Sequence, residues 1–330
     1  MKLPLGNWIM MKRIAVITAG GDAPGMNAAI RAVVRSALAH KLEVIGFERG
    51  YQGLIENQFQ SLGSRSVSGI INQGGTILRT VRSPAMKSRE GVEQAVQNLK
   101  KHQVDGLIAI GGDGTFRGAC RINDLSDIPM IGVPATIDND VAGTETTIGF
   151  DTAINTALDA IDKIRDTATS HERIFIVEVM GRTRGFLALE VGLAGGAEII
   201  LVPEVSYDMT QLCTRLQRDY ELGKRSEILV MAEGAGDSHA VTNHIQKEMG
   251  HEVRLTILGH IQRGGRPTAR SRTIACEFGS YAVDQLLQGA QRRMVGLQQG
   301  RIVSVKLDVS WQVEKPLNLH RYQLAEMMSL

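Results

Sequence analysis

Gly106-Leu107-Ile108-Ala109-Ile110-Gly111-Gly112-Asp113-Gly114-Thr115 reads as a buried strand running into a turn that only glycines can make. An apolar run of this length, bounded by glycine, fits a strand covered on both faces. A bare glycine turn lets backbone N–H groups approach an anionic phosphate closely. The single carboxylate at its tip, Asp113, can hold Mg²⁺ against that phosphate. The bland alternative is a tight strand–helix turn in which Asp113 caps the following helix.

Working outward, strands alternate with helices along the chain. Strands are expected at Arg13–Thr18, Leu42–Phe47, Gly106–Ile110, Met130–Val133, Ile174–Val179, Ile199–Val202 and Ile228–Ala232. Helical spacing is expected over Met26–Leu38, Val92–Lys101, Gly118–Asn123, Phe150–Ile164, Phe186–Leu193 and Met209–Tyr220. This alternation defines an α/β protein with a largely parallel sheet covered on both faces. The unusual residues follow the strands: Gly20-Gly21-Asp22, Gly112-Asp113-Gly114, Thr136-Ile137-Asp138-Asn139-Asp140, Met180-Gly181-Arg182 and Glu233-Gly234. Ligands of open α/β sheets bind at that carboxyl edge.

At 330 residues, two lobes are the natural expectation. The 37 basic and 35 acidic residues leave a formal charge of +2, so bulk attraction to nucleic acid or an anionic membrane is not supported. The three cysteines, Cys120, Cys213 and Cys276, form neither a disulfide framework nor a metal motif and fit a reducing cytoplasm. No apolar run reaches the length of a membrane span. Met11 opens a cleaner first strand than Met1, so residues 1–10 read as a start extension outside the fold.

Neither Gly-x₄-Gly-Lys-Ser/Thr nor a Gly-x-Gly-x-x-Gly after the first strand occurs, which argues against a P-loop or dinucleotide site. Two separate glycine turns, at Gly20-Gly21 and Gly111–Gly114, could instead form two walls of one phosphate site. Asp138 and Asp140 sit two residues apart after a buried strand. One can take a proton while the other orients it or a metal's water; an Asx-rich loop is the plain alternative. Arg82, Arg173, Arg182, Arg254 and Arg263 fall on turns, where guanidinium groups bind phosphate bidentately. His260 precedes Arg263 and a glycine pair and can serve a substrate oxygen or the structure equally.

Ala19-Gly20-Gly21-Asp22-Ala23-Pro24-Gly25-Met26-Asn27, Gly111–Thr115, Pro134-Ala135-Thr136-Ile137-Asp138-Asn139-Asp140, Met180-Gly181-Arg182 and Gly259-His260-Ile261-Gln262-Arg263-Gly264-Gly265 stand in the order seen in bacterial ATP-dependent 6-phosphofructokinases. The resemblance runs from about Met11 to the region of Val305. It implies two Rossmann-like three-layer αβα lobes with mainly parallel sheets and an active site in the cleft between them. The larger, ATP-binding lobe would comprise residues 11–148 and about 262–311; the sugar-phosphate lobe, 149–261 and about 312–330. The implied reaction moves a phosphoryl group from MgATP to the 1-hydroxyl of fructose 6-phosphate, the committed step of glycolysis.

By motif position, Asp138 would be the base, with Thr136, Arg182 and Arg82 in the catalytic set. Asp113 would hold Mg²⁺ with Asp140 nearby. Gly21, Tyr51, Arg82, Ser83, Gly112, Asp113, Gly114, Thr115 and Gly118 would line the ATP site. Thr136, Ile137, Asp138, Met180, Gly181, Arg182, Glu233, His260, Ile261, Gln262 and Arg263 would hold the sugar phosphate. Arg173 and Arg254 are similar to residues that reach in from a neighbouring subunit, which implies a homotetramer. Pyrophosphate-using relatives carry an Asp where this chain has Gly114 and a Lys where it has Ala135, so ATP is the implied donor.

Arg31, Arg35, Arg165, Gly196, Ala197, Glu198 and Lys224 match an effector site for ADP or phosphoenolpyruvate. Ser64, Gly69, Leu222 and Ser226 replace charged residues or His there, so a weak or altered response is expected. Ala135, Arg266, Ser271 and Phe186 depart from the family pattern and are expected near the substrate edge. A pyrophosphate-dependent enzyme and a non-catalytic nucleotide sensor are the rivals. NAD and lipid kinases share only the Gly-Gly-Asp-Gly-Thr turn.

Overall fold

A computed structural model describes residues 11–329; the expected extension, residues 1–10, lies outside them. The chain forms β1 (Arg13–Thr18), α1 (Met26–Ala39), β2 (Glu43–Phe47), α2 (Tyr51–Ile55), β3 (Phe59–Ser61), α3 (Arg89–Lys101), β4 (Gly106–Gly111), α4 (Asp113–Asp124), β5 (Met130–Thr136) and β6 (Ile148–Gly149). It continues through α5 (Phe150–His171), β7 (Ile174–Val179), α6 (Phe186–Ala194), β8 (Ile199–Leu201), α7 (Met209–Glu221), β9 (Glu227–Ala232), α8 (Ser238–Met249) and β10 (Val253–Ile257). The last elements are α9 (Ala269–Leu287), β11 (Arg293–Gln298), β12 (Arg301–Lys306), α10 (Val309–Gln312) and α11 (Leu319–Met328).

Two compact units result. Among the described residues, one comprises 11–136, Val141–Asp151 and Arg263–Lys315; the other, Ile137–Asp140, Thr152–Gln262 and 316–329. The division differs from the expected one in assigning Ile137–Asp140 to the second unit. The short segment that carries Asp138 therefore interrupts the first unit's chain.

The first unit holds an eight-stranded sheet ordered β12-β11-β5-β4-β1-β2-β3, with β6 beside β5. Its centre is parallel: β1 pairs with β2 and β4, and β4 with β5. Antiparallel pairing occurs at the rims, β2 with β3 and β11 with β12. Every residue of β4 is buried, as its unbroken apolar run requires. From β1 the chain steps outward to β2; from β4 it steps the opposite way to β5. The carboxyl ends of β1 and β4 therefore flank a topological switch point. Below them, α1 packs closely on α9: a Cβ on Gly279 would lie 2.7 Å from Ala32 Cβ.

The second unit is a four-stranded parallel sheet ordered β10-β7-β9-β8. Polar caps start α7 and α8, satisfying amides the helix cannot. Asp208 accepts from Gln211 N at 2.8 Å ahead of α7, and Asp237 from His239 N at 2.9 Å ahead of α8. Its core is Ile176, Leu216, Leu229, Met231 and Ile245, all fully buried. No helix among the described residues is long and apolar enough to cross a membrane.

Candidate active site

In the first unit the two glycine turns are tied together. Thr18 lies opposite Ile110, so β1 and β4 deliver their turns side by side. Ala19 N–H donates to the Ile110 carbonyl at 3.1 Å. The Thr115 hydroxyl, itself buried, donates to the Ala19 carbonyl at 2.8 Å. A Cβ on Gly111 would fall 2.3 Å from that carbonyl oxygen, so the position admits only glycine.

Helix α4 starts at Asp113, five residues before the expected Gly118. Its N-cap is Gly112, with no side-chain cap bond. Asp113 therefore does not spend its carboxylate on capping. It sits partly exposed in the first helical turn, 3.6 Å from Arg117 Nε. The free N–H groups and positive end of a 12-residue helix here suit a phosphate. Around Gly114 a Cβ would meet nothing within 4 Å, so the space beside Asp113 is open.

Arg263 joins this half. Its guanidinium lies over Gly21, where a Cβ would come within 2.3 Å of Nη1, and Nη1 donates to the Asp22 carbonyl at 3.3 Å. Arg82 is exposed, at the end of a loop held by two residues the sequence reading missed. Asn27, buried in α1, donates to the Gln73 and Gly74 carbonyls at 3.2 and 3.1 Å and accepts from Ile77 N at 2.7 Å. Thr80 donates to the Gly20 carbonyl at 2.8 Å. An Asn on the buried face of an apolar helix was the available signal, since such a group must be satisfied.

Several expected ATP-site residues hold the turns together from behind. Tyr51 is buried; its hydroxyl donates to the Thr115 carbonyl at 2.5 Å, and burial, followed by Cys120, pushes its pKa upward. Gly118 is a glycine because of that ring: a Cβ would sit 2.6 Å from Tyr51 Cε2. Both support Thr115 from behind. Ser83 donates to Gln52 at 2.9 Å.

In the second unit, Met180–Arg182 follows β7, Glu233 follows β9 and His260 follows β10, all at carboxyl ends. Glu233 Oε1 accepts from the amides of Gly181 (3.1 Å) and Arg182 (2.5 Å). Arg182 has a left-handed backbone (φ 56°), its side chain is 58% exposed, and Nη1 lies 4.0 Å from Asp140 Oδ2. Asp138 is 2% exposed and Ile137 fully buried. Thr136, the last residue of β5, accepts on its carbonyl from the Thr147 hydroxyl at 2.6 Å.

Four positions need correction. Gln262 is fully buried and its Oε1 accepts from Met180 N at 2.9 Å, so its side chain braces the Met180 turn and does not face a substrate. The Ile137 side chain is likewise interior, leaving only its backbone for a ligand. Ser271 and Phe186, expected near the substrate edge, are both buried. Ser271 packs beneath the Gly25 turn, and Phe186 opens α6 with Arg184 stacked 5.4 Å above its ring.

Arg173 and Arg254 come together, but elsewhere. Arg173 pairs with Glu252 at 2.6 Å, and Arg254 pairs with the same carboxylate. They lie at the starts of β7 and β10, the amino edge of the sheet. A six-residue strand spans roughly 16 Å, so these side chains stand apart from Met180, Glu233 and His260 of the same unit.

The effector-matching residues divide between units. Arg31 and Arg35 lie on α1. In the second unit Arg165 donates to the Gly195 and Gly196 carbonyls at 2.8 and 2.7 Å, beside Ala197. Glu198 stands 3.6 Å from Arg165 and 3.7 Å from Lys224. The cations there already have internal partners.

A parallel sheet with two stitched glycine turns and a carboxylate at its switch point fits a nucleotide-phosphate enzyme of the α/β class. Comparison with known proteins narrows the class: the profile of the Phosphofructokinase family matches residues 13–286, and the chain belongs to that family. It is similar, at 51% identity over 97% of its length, to the whole of a Brevibacillus brevis protein named ATP-dependent 6-phosphofructokinase. It is 50% identical over the same share to the whole of a Bacillus subtilis protein of that name. Among solved structures it resembles the phosphofructokinase of Saccharomyces cerevisiae at a TM-score of 0.85 and 33% identity, covering 96% of this chain and 46% of that one.

Proposed function

We propose that this chain transfers the γ-phosphoryl group of MgATP to the 1-hydroxyl of D-fructose 6-phosphate, giving fructose 1,6-bisphosphate and ADP. The observation that carries this reading is the stitched pair of glycine turns with Asp113 left uncapping at the β1–β4 switch point, in a chain half-identical to enzymes of that name.

The reaction needs positioning and charge neutralisation more than covalent chemistry. The Gly20–Gly21 and Gly111–Gly114 turns and the α4 amides receive the nucleotide phosphates. Arg82, Arg182 and Arg263 meet the transferring and sugar phosphates as bidentate cations. Asp138 takes the proton of the 1-hydroxyl, and Asp140 holds Arg182. Glu233 and His260 face the sugar.

Among the described residues no group of three or more His, Cys, Asp or Glu could hold a metal. Mg²⁺ is carried by substrate phosphates, water and one or two carboxylates. Asp113 and Asp140 are the oxygen donors that would hold it. When bound, it neutralises phosphate charge.

The placement of Arg173 and Arg254 at the opposite sheet edge supports their serving a neighbouring subunit's site, and hence a homotetramer. ADP or phosphoenolpyruvate would act weakly, because the effector-matching cations of the second unit, Arg165 and Lys224, pair with Glu198. A cytoplasmic setting fits the free cysteines.

A coupled assay with fructose 6-phosphate tests the reading: turnover with ATP and none with pyrophosphate is expected, and the reverse sinks it. The donor choice has a sharper probe. Gly114→Asp fills open space at the second residue of α4, where an acid favours the helix, so the fold holds. Its charge meets the nucleotide phosphates, and KM for ATP rises by about tenfold or more. An unchanged KM would mean the phosphates lie elsewhere.

A further inference from the structure

We infer that Glu204, which no motif reading assigns, is a positioning residue for the sugar phosphate, acting through the Arg182 turn. The inference rests on the reading of Arg182 as a sugar-phosphate ligand.

The turn between β7 and α6 is held at both ends by carboxylates. At its start, Glu233 takes the Gly181 and Arg182 amides. At its end, both carboxylate oxygens of Glu204 lie 3.0 Å from Gly185 N. Glu204 also stands 3.3 Å from Arg184 Nε, with the two side chains only 16% and 15% exposed. The Arg184 guanidinium in turn lies over the Phe186 ring. Between these clamps, Arg184 N donates to the Gly181 carbonyl at 3.0 Å. Gly185 cannot carry a side chain, since a Cβ would lie 2.5 Å from Val202 Cβ and 2.7 Å from Glu204 Oε2. Gly234 is equally constrained, with a Cβ position 2.3 Å from the Arg182 carbonyl oxygen.

Arg182 is the exposed cation of this frame, and its left-handed backbone is costly for a residue with a side chain. Such a conformation persists only where its surroundings over-determine it. Glu233 can fix the first half of the turn alone. The second half is fixed by Glu204, which takes the Gly185 amide on its carboxylate and pairs with the largely buried Arg184 guanidinium. Phe186 fits the same account: an aromatic ring under Arg184 keeps that guanidinium on Glu204 and away from the substrate.

The test is a set of KM measurements. Glu204→Ala raises KM for fructose 6-phosphate about tenfold, with KM for ATP unchanged and kcat within about threefold. Glu204→Gln keeps an acceptor for Gly185 N and restores most of the affinity. In an Arg182→Ala background, Glu204→Ala adds nothing further. KM does not depend on how much enzyme folds, and Glu204→Asp, one methylene short, shifts KM in the same direction if the alanine form is insoluble. If Arg182→Ala raises KM while Glu204→Ala leaves it alone, or if the two effects multiply, the inference fails by itself. If Arg182→Ala has no effect on KM, the reading of Arg182 fails and takes the inference with it.

Discussion

Asp138→Asn lowers kcat by two to four orders of magnitude and leaves KM for ATP within about twofold. The range is what a positioned general base contributes. Asn has the shape of Asp but cannot accept the hydroxyl proton, so the substitution removes one chemical capacity and little volume. Asp138 is 2% exposed, just beyond the last residue of β5, and Asn139 beside it holds a left-handed backbone (φ 53°). The carboxylate is therefore set by the turn and is not free to be replaced by a neighbour. The nucleotide turns belong to β1 and β4 and depend on Thr115, Gly111 and the start of α4. The bonds that stitch these turns come from Thr115, Ala19 and Ile110, so ATP affinity is spared. A loss confined to kcat marks an interaction made in the transition state. Turnover within tenfold of the parent, in a variant with an unchanged melting temperature, would defeat the assignment. A parallel rise in KM for ATP would instead place Asp138 among the nucleotide's ligands.

The parallel centre of the first sheet was legible because burial on both faces writes itself as continuous apolar sequence, as in Ile14–Ile17 and Leu107–Ile110. The helices with one apolar face followed from spacing. The chain beyond Ala232 was harder to read for physical reasons. Strand β12, Arg301–Lys306, has only partly buried or exposed residues and no apolar run. Its signal lay in the turn: Gln299 and Gly300 both have positive φ (50° and 72°), the signature of a two-residue hairpin. Helix α5 runs seven residues past the expected Ile164, to His171, with Ala168 the one fully turned-in apolar residue of that extension. In the site, glycines and acids at strand ends could be read directly, since their chemistry is local. The roles of Tyr51, Gln262, Asn27 and Glu204 could not, because each depends on a partner brought near by the fold: Thr115, Met180, Gly74 and Gly185 respectively.

Glu227→Gln stabilises the protein at pH 8 and leaves stability near pH 4.5 unchanged. Glu227 opens β9, is 2% exposed, and has one carboxylate oxygen, Oε2, buried without a hydrogen bond. Burial pushes its pKa from 4.5 up to about 7. Lys224 opposes that rise, Asp219 and Glu198 reinforce it, and Arg215 opposes it. The cations do not cancel the burial cost because they are committed elsewhere. Lys224 stands 3.7 Å from Glu198, and Arg215 is 3.8 Å from Asp219 and donates to the Glu198 carbonyl at 2.8 Å. The folded state thus holds the proton more tightly than the unfolded chain, and stability falls as pH rises through the interval between the two values. The contribution is fully present below 4.5 and is lost above about 7. A shift of that size corresponds to roughly 3–4 kcal/mol against the ionised form. Gln cannot ionise, so the variant escapes the loss and melts a few degrees higher at pH 8. Melting curves of parent and variant at pH 4.5, 6 and 8 decide the matter: the gap should open with pH. A gap of the same size at every pH would assign the effect to packing, and a parent that is more stable at pH 8 would show that the ionised Glu227 is held by Lys224 and Arg215 after all.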